Sequence, residues 1–225
     1  MTMEPLNWDG NYYTHPFVSN SDLSRLQKSL LAPAEELEYR DALKFGTLVH
    51  ALILEPETFD HYTRQVVGAP AYEYTAVDVA IARKMRDAFL ADDFCRSLLA
   101  TCAVEYAMYN RATKFAWNGV QFELDTRRKY DLWNQLVKWG ADIKSTTATT
   151  ESAFRTAINR FDYDRGRVFY AAGSGAKRDA IIGISKINYK VFKVFLAEGS
   201  ELWRSGTDKM NEIAFKYWAT MPVTY

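Results

Sequence analysis

The chain has 225 residues, of which 48% are apolar, 25% charged and 15% aromatic, the profile of a soluble globular domain with a well-filled core. Its 28 basic and 28 acidic side chains cancel, which excludes a uniformly basic coat for nucleic acid but leaves room for a local basic channel. No run approaches the ~18 apolar residues of a membrane span, and Met1–Gly10 lacks a basic-then-apolar leader, so a cytoplasmic protein with no membrane partner is expected.

Residues 1–18 are aromatic and polar without period and read as an arm or loop. Ser19-Asn20-Ser21-Asp22-Leu23 places a polar cap and a first-turn acid at the start of a helix that runs to about Leu31. Pro33 opens the next turn. From Ala42 to Leu54 the apolar residues Leu43, Phe45, Leu48, Val49, Leu52 and Ile53 recur at helical spacing, and Glu55-Pro56 ends the run. Gly46 inside it costs about 1 kcal/mol against alanine, which predicts close packing or backbone approach there. Residues 68–76 form a loop. Val77 to Thr101 is a long amphipathic helix with a break near Asp92-Asp93. Cys95 and Cys102 lie within it, seven apart, and read as reduced and buried rather than bridged. Two cysteines cannot complete an iron–sulfur cluster or a structural zinc site.

The middle of the chain is β-rich. Val104–Arg111 and Val120–Leu132 alternate as strands, with Trp117-Asn118-Gly119 as the turn between them. Tyr130, Leu132, Trp133, Leu136, Val137, Trp139 and Ile143 read as two short apolar strands around a tight polar turn. Glu151–Asn159 is a helix capped by Thr149 or Thr150, continued by Val168–Ala172. Asp179–Ile187 and Tyr189–Ala197 pair as a hairpin, and Glu198–Ala219 closes the chain as an amphipathic helix. This order predicts an α/β (α+β) fold with a central mixed, mostly antiparallel sheet flanked by helices and a helical N-terminal region. A single domain, 1–225, is expected: a mainly helical part (1–103), a β-rich core (104–197) and a C-terminal helix (198–225).

Asp131, Asp142 and Lys144 are the residues that carry chemistry. Side chains two apart on a strand face the same way, so Asp142 and Lys144 point together. Two carboxylates and an ammonium around one space suit a phosphodiesterase that works with a hard divalent ion. The spacing alone, D-x10-D-x-K, also fits a charged hairpin with solvated strand ends. His50, alone on an apolar helix, fits a hydrogen-bonded core residue as well as a ligand. His15 and His61 read as structural or surface residues. Basic side chains cluster at Arg127–Lys129, at Arg155, Arg160, Arg165 and Arg167, at Lys177–Arg178, and at Lys186, Lys190 and Lys193. Acids gather at Glu35–Glu38 and Asp87–Asp93.

With these elements in order, the chain resembles the PD-(D/E)XK nuclease superfamily, and within it the phage and prophage exonucleases of the exonuclease VIII and RecB-nuclease type. The likeness spans roughly residues 18–220 and rests on Ser19–Leu23, on Phe45-Gly46-Thr47-Leu48-Val49-His50 with the following Ala51–Pro56, and on the two acidic motifs. It implies a restriction-endonuclease-like core and a metal-dependent DNA exonuclease acting on linear double-stranded DNA with Mg2+ or Mn2+. By the same resemblance His50, Asp131, Asp142 and the backbone carbonyl of Ile143 are metal ligands, and Lys144, Asp142, Asp131 and Glu105 form the catalytic set. Glu105 reads equally as a surface acid, and Asp125 rivals Asp131, which its Lys129-Tyr130-Asp131 context favours. Tyr163-Asp164-Arg165-Gly166-Arg167-Val168-Phe169-Tyr170 keeps both tyrosines of the family's Tyr-x-x-Gln-x-x-x-Tyr helix, with Gly166 where glutamine belongs. Arg155, Tyr163, Arg165 and Arg167 are the DNA contacts this implies. Also implied are a ring-forming homo-oligomer, a single-strand annealing protein as partner, a role in phage recombination, and the host cytoplasm as location; the aromatic arm (Trp8, Tyr12, Tyr13, Phe17) reads equally as part of such a ring's interface or as packing onto its own domain. Endonuclease or single-strand cleavage on the same fold, or a binding module that no longer cuts, are the alternatives.

Overall fold

The computed structural model describes residues 12–30, 36–69 and 73–221, the side chains of 36–40 excepted. Trp8 and the acidic side chains at 35–38 lie outside the described residues. Two helices, α1 (Asn20–Leu30) and α2 (Glu36–Leu54), precede a small ribbon of β1 (Phe59–Asp60) and β2 (Gln65–Val66). Then come α3 (Ala76–Ala91), α4 (Asp93–Thr101), β3 (Ala103–Trp117), β4 (Val120–Asn134) and β5 (Trp139–Thr146). The chain continues through α5 (Glu151–Arg160), α6 (Tyr163–Ser174), β6 (Arg178–Ser185), β7 (Val191–Ala197) and α7 (Glu201–Ala219).

Helix starts follow the polar caps in the sequence. The Ser19 hydroxyl donates to Asp22 Oδ2 at 2.6 Å, and the Asp22 N–H donates back to Ser19 Oγ, a reciprocal cap that fixes the first turn of α1. Thr75 and Asp78 do the same for α3, and Asp92 caps α4 where the long helix breaks. Burial opposes the Asp22 charge, but the Ser19 hydroxyl and N–H, then Arg25 and Arg127, hold its carboxyl below the usual range. Asp22→Ala is therefore expected to cost about 1 kcal/mol, read as a shift in urea midpoint. Because the folded value is depressed, this contribution is present above the ordinary carboxylate range and lost as pH falls through the folded value. Wild type and variant should converge in acid.

The five long strands form one mixed sheet in the order β3-β4-β5-β6-β7, antiparallel throughout except for the parallel β5–β6 pair, which the α5–α6 crossover joins. Helices cover both faces. Ala180, Ile182 and Ile184 pack with α2, α3 and α4, while Ile181 packs with Phe154 and Ile158 of α5. This is why residues 180–184 read as a nearly unbroken apolar run. Gly183 is required by that packing, because a Cβ there would sit 2.4 Å from the Phe154 ring.

Four local readings are corrected. Leu136 and Val137 belong to the β4–β5 turn and are exposed, since the strands end at Asn134 and restart at Trp139. Residues 168–172 do not continue α5 but lie in a separate α6, with Asp162 in a left-handed conformation between the two helices. A Cβ at Gly46 would lie 3.9 Å from Ser145 Oγ, ordinary contact rather than close approach. Cys95 and Cys102 are free thiols, but only Cys95 is buried.

Candidate active site

A break in strand alternation positions Asp131. The rings of Tyr130 and Trp133 lie 4.6 Å apart in one cluster with Ala171, whereas Leu132 between them packs on the α2 side. Positions three apart on an unbroken strand face opposite ways, so the alternation slips at Asp131. On the partner strand Val104 pairs with Leu132 and Tyr106 with Tyr130. Glu105, between them, has φ 51°, a left-handed conformation that costs roughly 1–2 kcal/mol for a residue with a side chain. Strain of this kind persists where surrounding contacts impose it, commonly at functional sites. Both acids are thereby turned toward α2.

From α2, one turn after Gly46, comes His50. Its Nε2 is 2.6 Å from the Ile143 carbonyl oxygen and its Nδ1 is 3.6 Å from Asp131 Oδ2. With the Nε2 hydrogen donated to that carbonyl, Nδ1 turns a lone pair toward an acidic oxygen, and a cation between them satisfies both. The second hold on Asp131 Oδ2 is the Ile143 N–H, donated at 2.7 Å. A ring nitrogen of His50 and one carboxylate oxygen each of Glu105 and Asp131 lie within 4.8 Å of one another. Donors around a divalent ion at bond lengths of about 2.0–2.6 Å span such a distance. The donor set therefore fits a divalent metal, and nitrogen in it favours Mn2+ more than Mg2+.

Asp142 stands beside this trio but is not one of the three converging donors. Its Oδ1 accepts from Arg167 Nη1 at 3.0 Å. Its Oδ2 lies 2.6 Å from Lys144 Nζ, yet it is buried and has no partner in hydrogen-bond geometry. Burial works against both charges. Lys144 and Arg167 nevertheless pull the Asp142 carboxyl below its usual range, and Asp142 with Asp131 lifts the Lys144 ammonium above its own. The Tyr163 ring stacks behind Lys144 Nζ at 5.4 Å. Burial and Asp131 push the Glu105 carboxyl up, against an ion pair with Lys129.

The side chains of Arg167 and Arg165, expected to meet DNA, are buried instead. Arg167 is 2% exposed; it binds both oxygens of Asp179 at 2.9 and 3.0 Å and holds Asp142 with its remaining nitrogen. The rings of Tyr130 and Tyr170 flank it at 4.9 and 4.5 Å. Arg165, also buried, ties α6 to α1 through Asn20, Ser24 and Gln27. Both arginines follow the inward faces of α6, which lies between the sheet and α7. Arg155 is exposed on α5 and paired with Glu151 at 2.8 Å. Asp125 is away from the trio: it accepts from the Ala112 N–H at 2.9 Å in the irregular stretch between Asn110 and Thr113. His15 is buried, and its ring packs on those of Phe17 and Tyr109.

The residue that the sequence did not single out is Asp179. An acid opening an apolar strand was the available signal, but nothing in the spacing says that its partner lies on α6. Burial pushes its carboxyl up to about 7, against the pull of Arg167. Lys186 is the outward basic group at the end of β5–β6: its N–H donates to the Thr146 carbonyl at 2.8 Å. Its ammonium sits 5.7 Å from the Phe45 ring.

Residues 23–222 match a family model described as a PDDEXK-like domain of unknown function (DUF3799). Among solved structures, that of SSO0001 aligns at a TM-score of 0.37 and 12% identity, over 90% of this chain and 87% of the other. A phage-related exonuclease from Haemophilus somnus 129PT aligns at 0.36 and 12% identity, over 93% and 98% of the two chains. No curated protein matches.

Proposed function

The chain belongs to the PDDEXK-like domains, and from that premise we propose a metal-dependent deoxyribonuclease that degrades linear double-stranded DNA from its ends. The observation that carries this reading is the convergence of His50, Glu105 and Asp131 beside Asp142 and Lys144. Attack from ends, and a role in phage recombination, follow the resemblance to exonuclease VIII.

His50, Glu105 and Asp131 would hold the ion, with Asp142 and its ion-paired Lys144 beside them. Once bound, Mg2+ or Mn2+ supplies Lewis acidity toward the phosphate and makes water a better nucleophile near neutral pH. The protein's own groups do the rest. Lys144, kept charged by Asp142 and Asp131, stabilises negative charge that develops on the phosphoryl oxygens. Arg167 fixes Asp142 from behind, and Tyr163 restricts where the Lys144 ammonium can swing. Lys186, exposed, would meet the phosphate backbone without reading bases.

Gly166 gives no support to a module that has lost activity. A side chain at that position would point at Asn20 of α1, with its Cβ 3.2 Å from Nδ2, not toward Lys144. The residues of α6 beside the centre are Tyr163 and Arg167.

The test compares an end-labelled linear duplex with a covalently closed circle of the same sequence, each with Mg2+ or Mn2+. Loss of the linear form with the circle intact is expected. Cutting of the closed circle would make the enzyme an endonuclease, and no divalent-dependent loss of either would overturn the nuclease reading.

A further inference from the structure

Where β5 and β6 begin and β7 finishes, a cavity of about 340 Å³ lies against α4. We propose that it receives one aromatic side chain of a partner protein, with Arg178 binding the carboxylate of an acidic residue next to it in the partner's sequence. The inference does not rest on the nuclease reading, because none of His50, Glu105 and Asp131 lines this cavity.

Three observations carry it. The first is shape. Trp139 on β5 and Phe195 on β7 stand on the strands that flank β6, and Phe94 of α4 meets both edge-on, at 6.1 Å and 82° and at 5.6 Å and 80°. Aromatic rings favour such edge-to-face contacts with a further ring. The volume is near the lower end of the roughly 300–1,000 Å³ of ligand sites, room for a side chain rather than for a helix or a strand. The second is openness. Phe195 is 57% exposed on the last strand of the sheet, and Phe94 and Trp139 are half-buried. Among the described residues, the ring and cation contacts of these three are with one another and with Lys193, whose ammonium is 5.8 Å from the Phe94 centroid.

The third is charge. Arg178 is in register with Trp139 on one side and Ala197 on the other. Side chains in register share a face, so the guanidinium lies with the rings. Asp179, the next residue, faces the other way and is held by Arg167. The acids near the cavity are paired: Asp92 with Lys193 at 2.6 Å, Glu198 with Lys177 at 3.3 Å, and Asp93 with Arg96. Arg178 is exposed and, among the described residues, has no carboxylate within ion-pair reach.

One uncompensated cation beside an apolar cavity matches one anion beside an apolar group. A nucleic-acid strand carries a phosphate at every nucleotide and would bring several charges up against Asp92, Asp93 and Glu198. A peptide segment with a single acid next to an aromatic residue brings only the charge that Arg178 balances.

The experiment follows the indole N–H signals of the six tryptophans by NMR while isotope-labelled protein is titrated with N-acetyl-Phe-Glu amide. Trp139→Phe identifies the signal of residue 139. Saturable movement of that signal is expected, and N-acetyl-Phe-Gln amide should bind about 2- to 5-fold more weakly, the contribution of an exposed ion pair. N-acetyl-Ala-Glu amide, which lacks the ring, should not saturate. Arg178→Gln should erase the difference between the Glu and Gln peptides, and Arg178→Lys, which keeps the charge, should retain it. No saturable movement at Trp139 overturns the proposal, as does an undiminished preference for the Glu peptide in Arg178→Gln. Tighter binding of thymidylate than of the Phe-Glu peptide would make the cavity a nucleotide site and overturns it as well. So does a concentration-dependent mass in sedimentation equilibrium that Phe195→Ser abolishes, since a second copy of the chain would then cover the rings.

Discussion

Lys144→Ala is expected to lower divalent-dependent degradation of linear duplex DNA by about 10²–10³-fold, the usual loss when one preorganised donor to a developing oxyanion is removed. The ammonium is positioned on both sides, 2.6 Å from Asp142 Oδ2 and 5.4 Å from the Tyr163 ring. Its loss leaves Asp142 held by Arg167 alone, so circular dichroism and the urea midpoint should change little beside the rate. Lys144→Arg keeps charge but presents a planar fork instead of a compact ammonium, and should recover only part of the activity. Rates within a few-fold of wild type in Lys144→Ala would remove this residue from the chemistry.

The largest effect on stability is expected from Arg167→Ala. Removing one partner of a buried ion pair costs about 3–5 kcal/mol, because the remaining charge stands uncompensated. Here it leaves Asp179, fully buried, with only the Ala180 N–H on Oδ1 and nothing on Oδ2, and frees Oδ1 of Asp142. The sign with pH follows. Burial already raises the Asp179 carboxyl to about 7 with Arg167 in place, and without the arginine only the Ala180 N–H opposes that push. A carboxyl raised on folding contributes stability that is full below its unfolded value and lost as pH rises through the folded one. The deficit of Arg167→Ala should therefore be widest above neutral pH and narrow toward pH ~5, where Asp179 takes up a proton. Arg167→Met with Asp179→Leu should regain much of the stability, since replacing a whole buried pair by apolar groups is often neutral or better. It should not regain activity, because Asp142 has lost its bond from Arg167. Superposed urea curves for Arg167→Ala and wild type would refute this account.

Much of the fold was legible because it rests on local signals. The Ser19–Asp22 cap, the break at Asp92, the Asn118-Gly119 turn and the apolar run at 180–184 each bear their cause in adjacent residues. Boundaries moved where tertiary packing took over: β3 extends to Trp117, and α2 begins at Glu36 rather than near Ala42. The parallel β5–β6 pairing leaves no local trace, since it depends on where a crossover of two helices returns the chain. At the site, periodicity correctly put Asp142 and Lys144 on one side, but it cannot foresee a strand whose alternation slips at Asp131 or a glutamate with φ 51°. The arginines of α6 show the same limit. Composition identifies them as basic, but whether a guanidinium meets a phosphate or a buried aspartate depends on which way the helix is turned.

His50 touches Ile143 across 93 residues of sequence, and Asp142 touches Arg167 across 25. Contacts between distant segments form only after the chain has met the entropic cost of closing the intervening loops. A growing polypeptide therefore lacks the assembled centre until both segments of each contact have been made. A ribosome-bound fragment that ends before residue 143 has neither the Ile143 carbonyl that meets the imidazole nor the Lys144 ammonium, and so, on the nuclease proposed, is expected to spare the nucleic acid around it.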